Sequence, residues 1–311
     1  MSDVRGRLAP QHGMATATSL MVASTLCFSL MHACVRHLGT VEDVHPFVTA
    51  FWRCLIGGGM LMLWALARGR PVPRGRAVAM IATRSVINTG AMLCFFVALA
   101  MTELTTITAL NFTAPLFATL GAWLVLGERL RLRRIGALAV GFVGVVIVLR
   151  PGLAGDPLGP LLALASALMW AVAMLVIKRL TDTIDSISIA AYSGLMMAAM
   201  ILPLTLFVWQ WPSLVQWGWL ALVAVIASAA QVTLTEAFRR VEASAVMPFD
   251  FLKLIWASLL GYLWLSEVPS LEAWIGGAVI FASTLYIVHR ERRANARSRR
   301  AVSPDDAGFS A

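Results

Sequence analysis

FTAPLFATLGAWLVLGE, from Phe112 to Glu128, has a counterpart in FLKLIWASLLGYLWLSE, from Phe251 to Glu267. At a constant offset of 139 residues Phe112 meets Phe251, Ala118 meets Ala257, Leu120 meets Leu259, Leu124 meets Leu263, Leu126 meets Leu265 and Glu128 meets Glu267. Upstream the same offset pairs Ala98 with Ala237 and Glu103 with Glu242, and downstream it pairs Leu132 with Leu271. One extra residue in the second copy then shifts the register to 140, pairing Ile135 with Ile275, Gly136 with Gly276, Val148 with Val288 and Arg150 with Arg290. The chain is an internal duplication.

Of the 311 residues 59% are hydrophobic and 13% charged, and mean hydropathy is +0.79. Soluble domains carry about 25% charged residues, so this composition predicts an all-α membrane protein. A spanning helix needs about 20 mostly apolar residues. Ten stretches meet that length or approach it, near residues 15–35, 46–67, 77–100, 103–126, 135–149, 158–177, 187–208, 217–238, 243–265 and 271–289. Five fall in each copy, and an odd number predicts that the second copy enters the bilayer upside down. The expected fold is ten transmembrane helices in two inverted five-helix repeats, the build of secondary transporters. The chain divides into an N-terminal segment, 1–14, a first repeat, 15–150, a second repeat, 157–290, and a basic tail, 291–311.

Charge placement sets the expected orientation. The N-terminus and alternate loops hold 20 of the 25 Lys and Arg residues, the other loops hold Arg36 and Arg150, and Arg53, Arg84 and Lys253 fall within spans. By the positive-inside rule both termini are cytoplasmic, in a bacterial inner membrane. The apolar run after Arg5 and Arg7 is too long for a signal peptide and leads directly into further spans, so it is read as a retained first helix. The net charge of +9 is a topology signal, and no nucleic-acid partner is expected. Cys27, Cys34, Cys54 and Cys94 show no metal or disulfide spacing. No cofactor or metal is expected.

Ionisable groups inside spans cost about 2.5–3.5 kcal/mol each on insertion scales, so they usually face a cavity or a partner. Arg53, Arg84, Glu236, Asp250 and Lys253 are of this kind. Asp250 and Lys253 share a helix face, which suits a local ion pair and a substrate contact equally. Asp250 is the repeat counterpart of Asn111, so both halves put a polar group at one depth. Arg84 and Asn88 lie one turn apart; Arg84 is read either as an anion contact or as a salt-bridge partner of Glu236 or Asp250. Trp52, beside Arg53, and Tyr192 in the second copy are read as belt anchors or as rings for stacking a planar ligand. Asp250 and Glu236 are the candidate proton-coupling sites, although Glu236 also stands one turn from Arg239 and Arg240. His32, on an apolar helix near a span end, is read as packing or interfacial. Asn111, Gln231 and Thr235 offer neutral hydrogen bonds. Glu128 and Glu267, at span ends, are read as capping or loop-pairing groups.

Both copies resemble the EamA domain of the drug/metabolite transporter superfamily, over about residues 15–290. The resemblance lies in Ala114-Pro115-Leu116-Phe117, in Leu126-Gly127-Glu128-Arg129, in Gly136, Gly141 and Gly144, and in Arg150-Pro151-Gly152. Pro248-Phe249-Asp250 and Leu265-Ser266-Glu267 echo it, with Ser266 in place of Gly127 and Leu254 in place of Pro115. It implies a central cavity enclosed by the first four helices of each half, with the fifth and tenth outside, and alternating access by rocking of the halves. Residues Leu110 to Gly152 are most similar to the branch associated with S-adenosylmethionine uptake, with riboflavin uptake and amino-acid export as neighbours.

The expected protein is a secondary active transporter of a small polar or zwitterionic metabolite. No Walker A lysine motif is present to couple ATP, and neither G-x-S-x-G nor H-E-x-x-H suggests an intramembrane enzyme. The expected partners are a small-molecule substrate and the lipid bilayer, with a homodimer left open. A structural or regulatory membrane protein is the alternative.

Overall fold

A computed structural model describes residues 5–70, 73–126, 132–149, 156–180, 185–241 and 246–301. Gly127, Glu128, Arg129, Arg150 and Gly152 lie outside the described residues. In chain order the helices are α1 (Arg5–Thr40), α2 (Pro46–Ala67), α3 (Arg76–Met101), α4 (Leu104–Asn111), α5 (Ala114–Leu126), α6 (Leu132–Leu149), α7 (Leu158–Leu180), α8 (Ser186–Leu206) and α9 (Leu214–Arg240). A 3₁₀ turn (Met247–Phe251) then leads into α10 (Leu252–Trp264), and α11 (Leu271–Ala301) follows. There is no strand among the described residues.

Seven helical segments among them are long and apolar enough to cross a bilayer, and Ile135–Leu149 and Leu158–Ala173 are shorter apolar helices. In lipid each backbone polar group needs an internal partner, which a helix supplies. The helix ends are fixed by local chemistry. Pro46 opens α2 where no N–H is needed. Asp185 accepts from the Ser188 N–H at the start of α8, and Ser213 and Gln216 form a capping box on α9.

Residues 103–126, expected as one span, are broken between Asn111 and Ala114. The Phe112 N–H turns back to the Ala109 carbonyl and the Thr113 N–H to that of Leu110, before α5 resumes. Pro115 is the physical cause, because it has no N–H to continue the ladder and restricts the residue before it. In the second copy a 3₁₀ turn, Met247–Phe251, holds Pro248 and leads into α10. Irregular backbone at membrane depth is tolerated where it is buried in protein or lines a cavity.

Helices of the first copy pack chiefly on helices of the second. α1 lies on α9 and α3 on α7; α2 lies on α8 and α6 on α11. Exchanging each helix for its counterpart in the other copy maps α1·α9 onto α7·α3 and leaves α2·α8 and α6·α11 unchanged. The counterparts Phe112 and Phe251 stack on each other, with centroids 5.8 Å apart. α2 and α8 touch where a Cβ on Gly58 would lie 2.8 Å from the Leu195 nitrogen, so a side chain there would part the helices. On α6, Val140, Val143 and Val146 point outward.

Candidate functional site

The break after Asn111 and the first turn of α10, together with α1, α2, α3, α4, α7 and α9, line a cavity between the halves. Its volume is about 100 Å³, counted as space open to the centre of a water-sized sphere. One water needs roughly 10–15 Å³ on that measure, so the space holds several waters or part of a small ligand. Phe28, Phe95, Phe96, Phe112 and Trp170 supply aromatic walls, and Asn88, Thr108, Asn111, Ser166 and Gln231 supply polar ones. Arg53, Lys253 and His32 also line it, whereas no described residue of α6 or α11 does.

Arg53 enters from α2 and donates through Nη1 to the Met92 sulfur at 2.7 Å. Its guanidinium carbon lies 5.9 Å from the Phe96 ring centroid, within cation–π range, and its buried Nε has no hydrogen-bond partner. Lys253, one helical turn after Asp250, pairs with that carboxylate at 2.6 Å. The Lys253 ammonium also lies 5.1 Å from the Phe28 centroid. The Ser29 hydroxyl donates to the Lys253 carbonyl, fixing the start of α10 against α1. Asp250 therefore reaches the cavity through Lys253 and is not itself a wall.

A second pocket adjoins the first and shares Arg53, Asn88 and Gln231 with it. Arg84 lines it, 2% exposed, and donates through Nη1 to the Ser193 hydroxyl at 2.8 Å. The Arg84 Nε is buried without a partner. Among the described residues no carboxylate lies within ion-pair distance of Arg53 or Arg84. The salt bridge that the sequence offered Arg84, to Glu236 or Asp250, is replaced by the Ser193 hydroxyl, because those carboxylates are already held by Arg240 and Lys253. Asn88 donates to the Met197 sulfur at 3.3 Å.

Glu236, Trp52 and Tyr192 line neither pocket. Glu236 is engaged by Arg239 at 3.4 Å and Arg240 at 3.0 Å, all on α9. Trp52 packs in an aromatic cluster with Trp209 and Trp217. Tyr192 packs against a small apolar group containing Ile81 and Ile189. His32, expected near a span end, lies within the cavity wall with its ring 4.6 Å from that of Phe95. The reason is the length of α1, which runs to Thr40, two turns past the histidine. Trp170, Phe28 and Ser166 were not singled out by sequence. An aromatic or a serine in an apolar helix carries the same local signal in packing as in a cavity wall.

Among the described residues no cluster of His, Cys, Asp or Glu is placed to hold a metal ion. What the arrangement can do is bind: rings offer stacking faces, amides offer hydrogen bonds, and two guanidiniums offer charge without a resident counterion.

Known proteins place this geometry in context. A riboflavin transporter of Vibrio cholerae is 35% identical over 61% of this chain and 64% of its own length; that match spans slightly less than two thirds of the relative. A riboflavin transporter of Rhizobium johnstonii is 30% identical over 88% of this chain and 91% of its own. An S-adenosylmethionine uptake transporter of Rickettsia felis is 27% identical over 84% and 88%. One solved crystal structure, 21% identical, covers 93% of this chain and 99% of its own with a TM-score of 0.60, which shows a shared fold. The profile of the EamA-like transporter family matches residues 15–150 and again 157–289. This chain is a multi-pass membrane protein and a transporter, not an enzyme, and it belongs to the EamA-like transporter family.

Proposed function

We propose that the protein is a secondary carrier that moves a small, ring-bearing polar metabolite across the bacterial inner membrane by alternating access. The frame would be ten spans in two inverted five-helix repeats, residues 15–150 and 157–290, with the segments 1–14 and 291–311 cytoplasmic. The pairing of α1 with α9 and of α3 with α7 supports that reading, as does the stacking of Phe112 on Phe251. The 20-to-2 split of cations between alternate loops supports the orientation.

The observation that carries the functional reading is the aromatic cavity between the halves, with Arg53 free of any described carboxylate and Arg84 adjoining it. Like charges disfavour a cation there. Of the ligands named for relatives, a neutral planar flavin therefore fits better than S-adenosylmethionine, whose sulfonium would face both guanidiniums. Arg53, Asn88, Asn111 and Lys253 are assigned as substrate contacts, and Trp52 and Tyr192 as supports behind them. Asp250 is favoured over Glu236 as the proton-coupling group, because its ion-pair partner Lys253 lies in the cavity wall while Glu236 is held by arginines of its own helix.

Flux into proteoliposomes tests the reading, with riboflavin and S-adenosylmethionine in competition. Uptake of the flavin, inhibited by excess flavin and not by S-adenosylmethionine, is expected; the opposite order would sink the charge argument. Asp250→Ala should abolish flux while Asn111→Ala weakens it severalfold. Because Asp250→Ala leaves Lys253 unpaired, the Asp250→Asn/Lys253→Met double variant is the control for folding. Normal flux in that well-folded double variant would remove the pair from the mechanism.

A further inference from the structure

The two pockets differ in chemistry although they share Arg53, Asn88 and Gln231. The first is walled by rings. Among the described residues the second is lined by no aromatic side chain; Gly57, Gly58 and Gly194 bring backbone to its wall, and Arg84 joins Arg53 in supplying its charge. Tying α3 to α8 does not by itself call for a guanidinium, since a neutral amide would also donate to Ser193 and would avoid the cost of a buried charge. That cost is several kcal/mol per ion unless an opposite charge offsets it. At Arg84 Ser193 offers only a neutral hydroxyl, and the Nε remains without a partner.

We propose that the Arg84 pocket receives an anionic group, so that the preferred substrate is a planar heteroaromatic ring without a cationic centre, joined by a flexible polar chain to a phosphate or carboxylate, ahead of the neutral ring compound itself. The ring occupies the aromatic cavity, the chain passes Asn88 and Gln231 at the junction, and the anion meets the free edge of Arg84, with Arg53 between. This assignment rests on the reading of the aromatic cavity as the substrate site. It adds a second locus that selects for charge, because a guanidinium fork suits carboxylate and phosphate better than an ammonium does.

Binding of riboflavin and of riboflavin 5′-phosphate to the purified protein in proteoliposomes tests it, read by quenching of flavin fluorescence. The wild type should prefer the phosphate ester by on the order of tenfold, the scale of one charge-assisted hydrogen bond. In Arg84→Gln that ratio should fall to about one. Arg84→Lys keeps the charge and serves if the glutamine variant does not fold; there the ratio should fall but remain above one. In a second arm, inorganic phosphate at tens of millimolar should raise the melting temperature of the wild type and not that of Arg84→Gln, since a ligand stabilises the state that binds it. Equal binding of the two flavins to the wild type overturns the proposal. If that equality comes with Arg84-dependent stabilisation by phosphate, the pocket holds a free anion instead of a substrate group. If neither flavin binds, the aromatic-substrate reading has failed, and the phosphate arm alone judges the pocket: stabilisation that needs Arg84 supports an anion site, and its absence overturns one.

Discussion

At one end of the helix assembly Arg36, near the end of α1, pairs with Glu267 in the loop before α11 and donates to the Leu99 carbonyl on α3 at 2.6 Å. The other Glu267 oxygen accepts from the Leu104 N–H at 2.9 Å, capping α4. His37 packs against Trp219 and Trp264, 4.9 and 5.4 Å away between centroids, and those two rings are 5.4 Å from each other. At the opposite end Arg70 reaches Asp185 at 3.8 Å, and Glu236 binds two arginines of its own helix. The first network is part-buried and joins the two copies through four elements. The second, among the described residues, is exposed or local. In the alternating-access cycle proposed above one of these sets opens each time, and the Glu267 end has the more buried and more widely connected contacts to break.

Removing Glu267 is the sharpest way to break that contrast. Glu267→Ala leaves Arg36 without its carboxylate and frees the first N–H of α4. The expected cost is about 3 kcal/mol, the low end for an uncompensated buried charge, because both side chains keep some exposure, 14% and 12%. Cys34, fully buried two residues before Arg36, reports the opening. With Cys27, Cys54 and Cys94 replaced by alanine, its reaction with a water-soluble maleimide should speed up at least tenfold in Glu267→Ala. An unchanged rate would mean that the ion pair does not hold this end shut. Glu267→Gln retains an acceptor for Leu104 and should lie between.

The opposite end should hardly respond. Arg70 is 41% exposed beside Asp185, and exposed pairs contribute roughly 0–1 kcal/mol. Arg70→Gln should therefore leave the melting temperature within about a degree or two and the Cys34 reactivity unchanged. A drop as large as that for Glu267→Ala would erase the asymmetry.

The contrast between the ends also shows what a single sequence can carry. The duplication was legible, because the offset between Phe112 and Phe251 needs no coordinates, and the stacking of those two rings is its spatial form. Glu236 with Arg239 and Arg240 was legible too, since i,i+3 and i,i+4 neighbours share a helix face. The partner of Arg84 was not. It depends on the register of α3 against α8, which tertiary packing sets and no local pattern encodes. Glu267 likewise reads locally as a loop residue, yet its carboxylate caps a helix 163 residues earlier in the chain. The break after Asn111 had a local sign in Pro115, but a proline inside an apolar run also suits a kinked, continuous span, and the continuous one was expected.

The smallest effect lies at the same end as Glu267, where His45 caps α2. Its Nδ1 accepts from the Phe47 N–H at 3.2 Å, and only the neutral imidazole has a lone pair to do so. Burial pushes the His45 pKa below its ordinary value of 6.5. The unfolded chain then binds the proton more readily than the folded one. The stabilisation is complete above the unfolded value and is lost as pH falls from there toward the lower folded value. Helix caps contribute about 0.5–2 kcal/mol, and a part-exposed histidine belongs at the bottom of that range. His45→Asn keeps a capping acceptor and removes the titration. The melting temperature of the wild type should fall slightly more between pH 7 and pH 5 than that of His45→Asn. Parallel pH curves for the two proteins would show that the cap does not feel the imidazole's charge.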